Sequence, residues 1–211
     1  MTSILITGGA GFVGYFLAKR LGSDNNNNIT ILDNLSRGRL DDEFKSLLKQ
    51  ENINFFSCDL TETKKLFSIT PSFDYIYHLA AVIGVRNVTE NPDKVLYVNA
   101  LSIMNMLKFA NLNSKLKRFF FASTSEIYSG TLKKYGIEVP TPESVGLALD
   151  DLSQPRTTYM LSKMYGESAC YAYNNKYNVP ITIGRYHNVY GPRMGFMHVI
   201  PEMFIKVKYQ D

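Results

Sequence analysis

The chain has 211 residues, enough for one well-packed domain and part of a second. Hydrophobic residues make up 45% and charged residues 20%, the balance of a water-soluble globular protein rather than of a disordered or membrane-embedded one. The net charge of +4 comes without a Lys/Arg run, so nothing in the sequence reads as a nucleic-acid patch.

The opening MTSILITGG has no basic n-region and no long apolar h-region, and no apolar run approaches the ~20 residues that span a bilayer. It reads as a strand running directly into TGGAGFVG. Gly8, Gly11 and Gly14 keep a three-residue spacing there, and the helical pattern FVGYFLAKRLG follows at once. Such a loop lets the backbone approach a pyrophosphate, which then rests on the helix N-terminus. The tract Asn25 to Asn28 is a polar loop. A second apolar run, ITILD, ends at Asp33, 19 residues beyond Gly14 (33 − 14). A carboxylate there accepts hydrogen bonds from ribose hydroxyls and repels a 2′-phosphate, favouring NAD over NADP. Arg37 and Arg39 close behind temper that preference.

Further runs alternate with helical patterns: INFFSCD, FDYIYHLAA, RFFFAST and ITIGRYHNV between DDEFKSLLKQ, DKVLYVNALSIMNMLKFANL and TTYMLSKMYGESACYAYNNKY. Runs with few charges at their centres fit strands covered on both faces, and strand–helix–strand repetition predicts a doubly wound, Rossmann-like parallel α/β sheet. The last helical pattern places Tyr159 and Lys163 four apart, one turn, on one face. An ammonium beside a phenol lowers its pKa, and a tuned tyrosine removes a hydroxyl proton while hydride leaves carbon for a nicotinamide. Tyr159 follows Thr124 by 35 positions (159 − 124), and the stretch from Ser129 to Arg156 reads as a proline-turned loop over a substrate.

These motifs, in this order, resemble the extended short-chain dehydrogenase/reductase superfamily in its nucleotide-sugar epimerase/dehydratase branch. TGGAGFVG resembles its cofactor loop (Gly8, Gly11, Phe12, Val13, Gly14), LDNLSRG its ribose-binding segment (Asp33, Asn34) and CDL its adenine contact (Asp59, Leu60). HLAA resembles the strand end along the cofactor (Leu79, Ala80, Ala81), and Asn99 of VNA matches a structural, cofactor-side asparagine. The resemblance implies NAD as cofactor and a nucleotide-activated sugar as substrate. It implies catalytic roles for Thr124, Tyr159 and Lys163, with Tyr159 and Lys163 also on the cofactor. The implied chemistry is oxidation at C4 of the sugar to a 4-keto intermediate, followed by epimerisation, elimination or decarboxylation. The TSE version of the segment resembles GDP-mannose 4,6-dehydratases and UDP-glucuronate decarboxylases; it implies a proton-transfer role for Glu126 and places Ser125 on the substrate with Asn188 and Arg193 of RYHNVYGPR. The alternatives are a nucleotide-sugar 4-dehydrogenase or reductase consuming NAD(H), and a non-catalytic dinucleotide sensor, against which the intact Thr124, Tyr159 and Lys163 argue.

By the same resemblance residues 1–190 form the NAD-binding domain, 191–211 open a substrate-binding domain that is expected to be truncated, and two long helices join the chain into a homodimer. Two cysteines, Cys58 and Cys170, provide no disulfide set, so a cytoplasmic setting is expected. His78, His187 and His198 lack metal-ligand spacing, so no metal is expected. His187 is expected to pack at a strand end, and His198 to be free to reach a substrate phosphate. Cys170 is expected to be buried, and Met104, Met106, Met160 and Met164 to pack.

Overall fold

The computed structural model describes residues 1–195 and 199–209. The six apolar runs form β1 (Thr2–Thr7), β2 (Asn27–Asp33), β3 (Ile53–Ser57), β4 (Tyr75–His78), β5 (Arg118–Thr124) and β6 (Ile181–Tyr186). All pair in parallel in the order β3-β2-β1-β4-β5-β6. The expected doubly wound sheet is therefore present, and its order reverses between β1 and β4. A crevice opens beyond the C-terminal strand ends at such a reversal.

The helices are α1 (Phe12–Gly22), α2 (Asp42–Leu47), α3 (Thr63–Leu66), α4 (Val85–Glu90), α5 (Pro92–Asn111), α6 (Ser129–Tyr135), α7 (Thr157–Tyr177) and α8 (Val199–Tyr209). Alternate residues of each central strand feed opposite layers. On one face Ile4, Ile6, Ile29 and Ile31 pack with Tyr15, Ala18, Phe44 and Leu47 of α1 and α2. On the other Leu5, Leu32, Ile76, Phe119 and Phe121 pack with Ile103, Met106, Phe109 and Cys170 of α5 and α7. Pro92 supplies the preset φ of a first helical turn. Asp41 caps α2 by accepting from the Phe44 amide at 3.0 Å. Asn178 ends α7 in the left-handed region at φ 56°.

Two expectations need correction. The stretch after β5 is not all loop: a 3₁₀ turn (Ser125–Tyr128) leads into α6, and the segment that follows is pinned to it. His187 is exposed past the end of β6 rather than packed. His198 lies outside the described residues. The buried histidine is His78, whose Nδ1 is 2.9 Å from Thr7 Oγ1 and whose ring stacks on Phe121; burial holds its pKa down at about 3, so it is neutral. Among the described residues there is no metal-holding cluster, and no helix is long and apolar enough to cross a membrane. Cys58 and Cys170 are free and buried.

Candidate active site

The floor of the crevice is the turn from β1 into α1. Gly8 stands at φ +73°, and a Cβ on it would lie 2.8 Å from the Ala80 amide nitrogen, so no larger residue fits against the β4 end. Gly14 is held tighter still, since a Cβ there would sit 2.2 Å from the Gly8 carbonyl oxygen. The Gly8 amide donates to Leu32 at 2.8 Å and the Gly11 amide to Gly8 at 3.1 Å, closing the turn. Gly11 caps α1 without a side chain, and no acid occupies the first turn around Phe12 and Val13. That end of α1 keeps its amide donors and positive dipole for an anion. Asp33 ends β2 with Oδ2 accepting from the Ala10 amide at 3.1 Å and Oδ1 from the Leu35 amide at 2.8 Å. Burial raises its pKa, and the two amides act against that rise. A backbone cradle with an acid beside it fits the diphosphate and ribose of a dinucleotide.

The flanks of this cradle are tied to one another. Asn34 donates to Asp59 Oδ2 at 2.9 Å, and Asp59 Oδ1 accepts from Thr61 Oγ1 at 2.7 Å. Burial opposes ionisation of Asp59, but these bonds outweigh it and hold its pKa low. The Leu60 carbonyl accepts from Asn105 at 2.8 Å. Leu79 and Ala80 continue β4, their amides donating to the Thr7 carbonyl and hydroxyl at 3.2 and 3.3 Å. Asn99 pins the next turn, beyond Ala81: its Oδ1 accepts from the Val82 amide at 2.7 Å, and its Nδ2 donates to the Val82 carbonyl at 3.0 Å and to Ser162 of α7 at 3.2 Å.

The chemical group assembles where β5 and α7 meet. Thr124 ends β5 and is 8% exposed; its hydroxyl accepts from the Glu126 amide at 3.3 Å and lies near enough to the Tyr159 phenol to favour its ionised form. Lys163, one turn along α7, is 4% exposed. Its Nζ donates to the Ala122 carbonyl at 2.7 Å and stands 5.0 Å from the Phe121 ring centroid and 5.9 Å from that of Tyr159. Burial lowers its pKa to about 8. The expectation that Lys163 depresses the Tyr159 pKa is not met. Burial and the Glu126 carboxylate push Tyr159 up to about 12; the Thr124 hydroxyl and the Arg37 guanidinium act the other way. The physical reason is protonation: with its own pKa at about 8, Lys163 has lost its charge before Tyr159 ionises at about 12, leaving Arg37 as the opposing cation. Arg37 reaches from the loop after β2 to the Ile83 carbonyl, a placement its position in the sequence gave no means to anticipate.

Glu126 is exposed in the 3₁₀ turn, and its carboxylate makes no ion pair among the described residues. Ser125 beside it is half-buried, and Asn188 is exposed just past β6. Arg193 is engaged elsewhere. Its Nη1 donates to Asp41 at 2.8 Å and Glu43 at 2.9 Å, and its guanidinium carbon lies 4.0 Å from the Tyr15 ring centroid, tying the chain after β6 to α1 and α2. Sequence reasoning also passed over Glu167, which is 4% exposed, takes a bidentate ion pair from Arg185 and accepts from Ser123 at 2.5 Å. An acid two turns past Tyr159 on the same helix face was the available signal.

Comparison with known proteins matches this geometry to a family. The sequence profile of the NAD dependent epimerase/dehydratase family matches residues 4–211. A UDP-N-acetyl-alpha-D-glucosaminuronate decarboxylase from Bacillus cytotoxicus is 33% identical over 213 residues, covering 98% of this chain and 61% of its own length. The UDP-glucuronate 4-epimerase 1 of Arabidopsis thaliana is 33% identical over 201 residues, covering 90% of this chain and 43% of its own. Among solved structures, a UDP-glucuronic acid 4-epimerase variant from Bacillus cereus, in complex with UDP-4-deoxy-4-fluoro-glucuronic acid and NAD, superposes with a TM-score of 0.79 at 27% identity, covering 98% of this chain and 63% of that one. This chain thus spans less than two thirds of the length of these relatives. A profile match over nearly every residue, together with the glycine cradle and the Thr124, Tyr159 and Lys163 group, places the chain in the NAD dependent epimerase/dehydratase family.

Proposed function

We propose that the chain is the cofactor-binding and catalytic part of an enzyme that uses NAD to oxidise C4 of a nucleotide-activated sugar, passing through a 4-keto intermediate. The observation that carries the reading is the meeting of Tyr159, Thr124 and Lys163 where α7 packs on the C-terminal end of β5. That end lies on the same side of the parallel sheet as the glycine cradle after β1, with Glu126, unpaired among the described residues, beside Tyr159. Asp33, Gly8, Gly11, Gly14 and the α1 amides hold NAD, which when bound supplies the hydride acceptor. Thr124 holds the sugar 4-hydroxyl toward Tyr159, and Tyr159 takes its proton. Lys163 keeps the ring of Tyr159 in place and offers its ammonium to the ribose side. The new ketone acidifies the carbon next to it, and Glu126 is the group placed to move that proton. Ser125 and Asn188 lie on the sugar side of the same mouth.

The names of the relatives support a UDP-linked sugar, and those carrying a glucuronate unit support a C6 carboxylate on it. Residues 1–190 serve as the cofactor domain, and 191–211 as the start of the substrate side. A homodimer through α5 and α7 is part of this reading, supported by Tyr97 and Tyr165 standing 64% and 43% exposed on those helices. A cytoplasmic setting is supported by the two free thiols.

The test is incubation with NAD and a panel of UDP-, GDP- and dTDP-sugars that includes UDP-glucuronate, followed at 340 nm and by mass spectrometry. Loss of carbon dioxide or water, or a C4 epimer at unchanged mass, is the expected result. Stoichiometric NADH release with a two-hydrogen loss would replace the reading with a net dehydrogenase. NAD binding with no turnover of any sugar would sink it in favour of a sensor.

A further inference from the structure

Tyr159, Lys163 and Glu167 fall at i, i+4 and i+8 along one face of α7. The first two belong to the chemistry; the third is deep in the protein, and its carboxylate bonds Ser123 and Arg185 instead. Glu167 Oε1 accepts from Ser123 Oγ at 2.5 Å and from Arg185 Nε at 3.0 Å, and Oε2 accepts from Arg185 Nη2 at 2.7 Å. The remaining Arg185 nitrogen, Nη1, donates to the Tyr128 hydroxyl at 2.6 Å and to the Glu143 carbonyl at 2.8 Å. The Arg185 guanidinium carbon lies 5.1 Å from the Tyr128 ring centroid.

Each partner in this cluster neighbours a residue of the site. Ser123 precedes Thr124 on β5, Tyr128 follows Glu126 by two positions, Glu167 lies one turn past Lys163, and Arg185 is three positions before Asn188. Glu143 belongs to the segment 136–156 that connects α6 to α7. A buried ion pair of this kind contributes little net stability, because desolvation of both charges offsets their attraction. What it fixes is geometry, since a guanidinium fork accepts a carboxylate in one orientation.

The segment is tethered from a second side. Thr131 of α6 donates to the Gly146 carbonyl at 2.8 Å and accepts from the Ala148 amide at 2.9 Å. Lys134 donates to the Leu149 carbonyl at 2.8 Å, and Lys133 pairs with Asp150. A Cβ on Gly130 would lie 2.0 Å from the Ala148 carbonyl oxygen, so the backbones touch there. At its far end the Asp151 carbonyl accepts from Thr157, the first residue of α7, at 2.6 Å.

We propose that residues 136–156 form a fixed wall on the sugar side of the site rather than a mobile flap, and that Arg185, gripped by Glu167, is the positioning residue that locks this wall to the helix carrying Tyr159. The identity of the sugar side rests on the function proposed above; the lock does not. Arg185→Lys keeps the charge but cannot bond Glu167, Tyr128 and Glu143 together. The double variant Arg185→Met/Glu167→Leu removes both charges at once, so neither is left buried alone and the fold is retained.

The measurement is amide hydrogen exchange on the full chain, combined with NAD affinity and steady-state kinetics on UDP-glucuronate. In both variants, exchange across 136–156 is expected to quicken by about tenfold or more while that of β1 and α1 is unchanged. NAD affinity stays within about twofold, and KM for the sugar rises several-fold more than kcat falls, the pattern of lost ground-state positioning. Unchanged exchange across 136–156 in both variants would overturn the lock. Faster exchange with an unchanged KM would overturn the wall. A wild-type chain that binds NAD but turns over no sugar would remove the proposed function and the wall together, leaving the exchange result to decide the lock alone.

Discussion

Tyr159 carries two opposing fields at its phenol. Burial and Glu126 favour the neutral form, and Arg37 favours the phenolate, with the net result near 12. In the proposed role of base Tyr159 must be ionised, so the rate of the first oxidation is expected to climb with pH toward that value. Glu126→Gln removes a negative neighbour and is expected to shift the rise to lower pH; Arg37→Gln removes a positive one and shifts it upward. Single-turnover absorbance at 340 nm across pH 6–10 reads both, and shifts of the same sign would reject the electrostatic account. Overall turnover of Glu126→Gln is expected to fall as well, since the proposed later proton transfer loses its acid–base group. Tyr159→Phe is expected to cost roughly 10²–10⁴-fold in kcat, the range for a removed general base, with NAD affinity held. Lys163 gives a pH effect on stability. Its folded pKa, about 8, lies below the ordinary lysine value, so between these two the unfolded chain binds more protons and stability rises with pH. Urea midpoints at pH 7.5 and 9.5 are expected to show this rise in the wild type and a flatter profile in Lys163→Met; parallel profiles would count against a depressed lysine.

At the scale of elements, function depends on how closely α7 approaches β5. Gly166 sits at that contact, where a Cβ would lie 2.3 Å from the Phe121 ring. Gly166→Ala is expected to push α7 outward, carrying Tyr159 away from Thr124, at an overpacking cost of about 1–3 kcal/mol. The urea midpoint falls, and kcat falls more than NAD affinity, because the cradle lies on β1 and α1. Equal loss of NAD binding would show that α7 also holds the cradle. Gly14→Ala acts on the other element pair. With the Gly8 carbonyl oxygen 2.2 Å from the new Cβ, the turn must open, and NAD binding measured by calorimetry is expected to be lost while α7 keeps its place. The elements themselves were legible where their periodicity was strong. α7 and the six strands stand where the apolar patterns predicted them. α6 was not legible, because SGTLKKY offers one short amphipathic turn between a strand and a proline-containing segment, and its helix is held by Thr131 and Gly130 meeting the backbone of Ala148.

Across the whole molecule, the sheet order decides where chemistry can occur. The reversal between β1 and β4 opens the crevice, and β5 beside β4 brings Thr124 to its edge. The outer surface of α5 and α7 bears Tyr97 and Tyr165, and sedimentation of the wild type is expected to give a dimer that Tyr97→Glu/Tyr165→Glu dissociates; a monomeric wild type would end that part of the proposal. α8 has no buried residue and exposes Val199, Met203, Phe204 and Val207. Fold class, the cradle and the acid at the end of β2 were legible without coordinates because they depend on local pattern: uncharged apolar runs for strands covered on both faces, glycines three apart after the first strand, an acid closing the second. The sequence also marked Thr124, Tyr159 and Lys163, through motifs whose order survives without coordinates. The tertiary structure decided which charge faces which. Lys163 is turned to the Ala122 carbonyl, Arg37 crosses to the Ile83 carbonyl, Arg193 is taken by Asp41 and Glu43, and Glu167 is matched to Arg185. Long flexible side chains reach partners tens of residues away, and the partner is chosen by distance and burial, neither of which is written in sequence spacing.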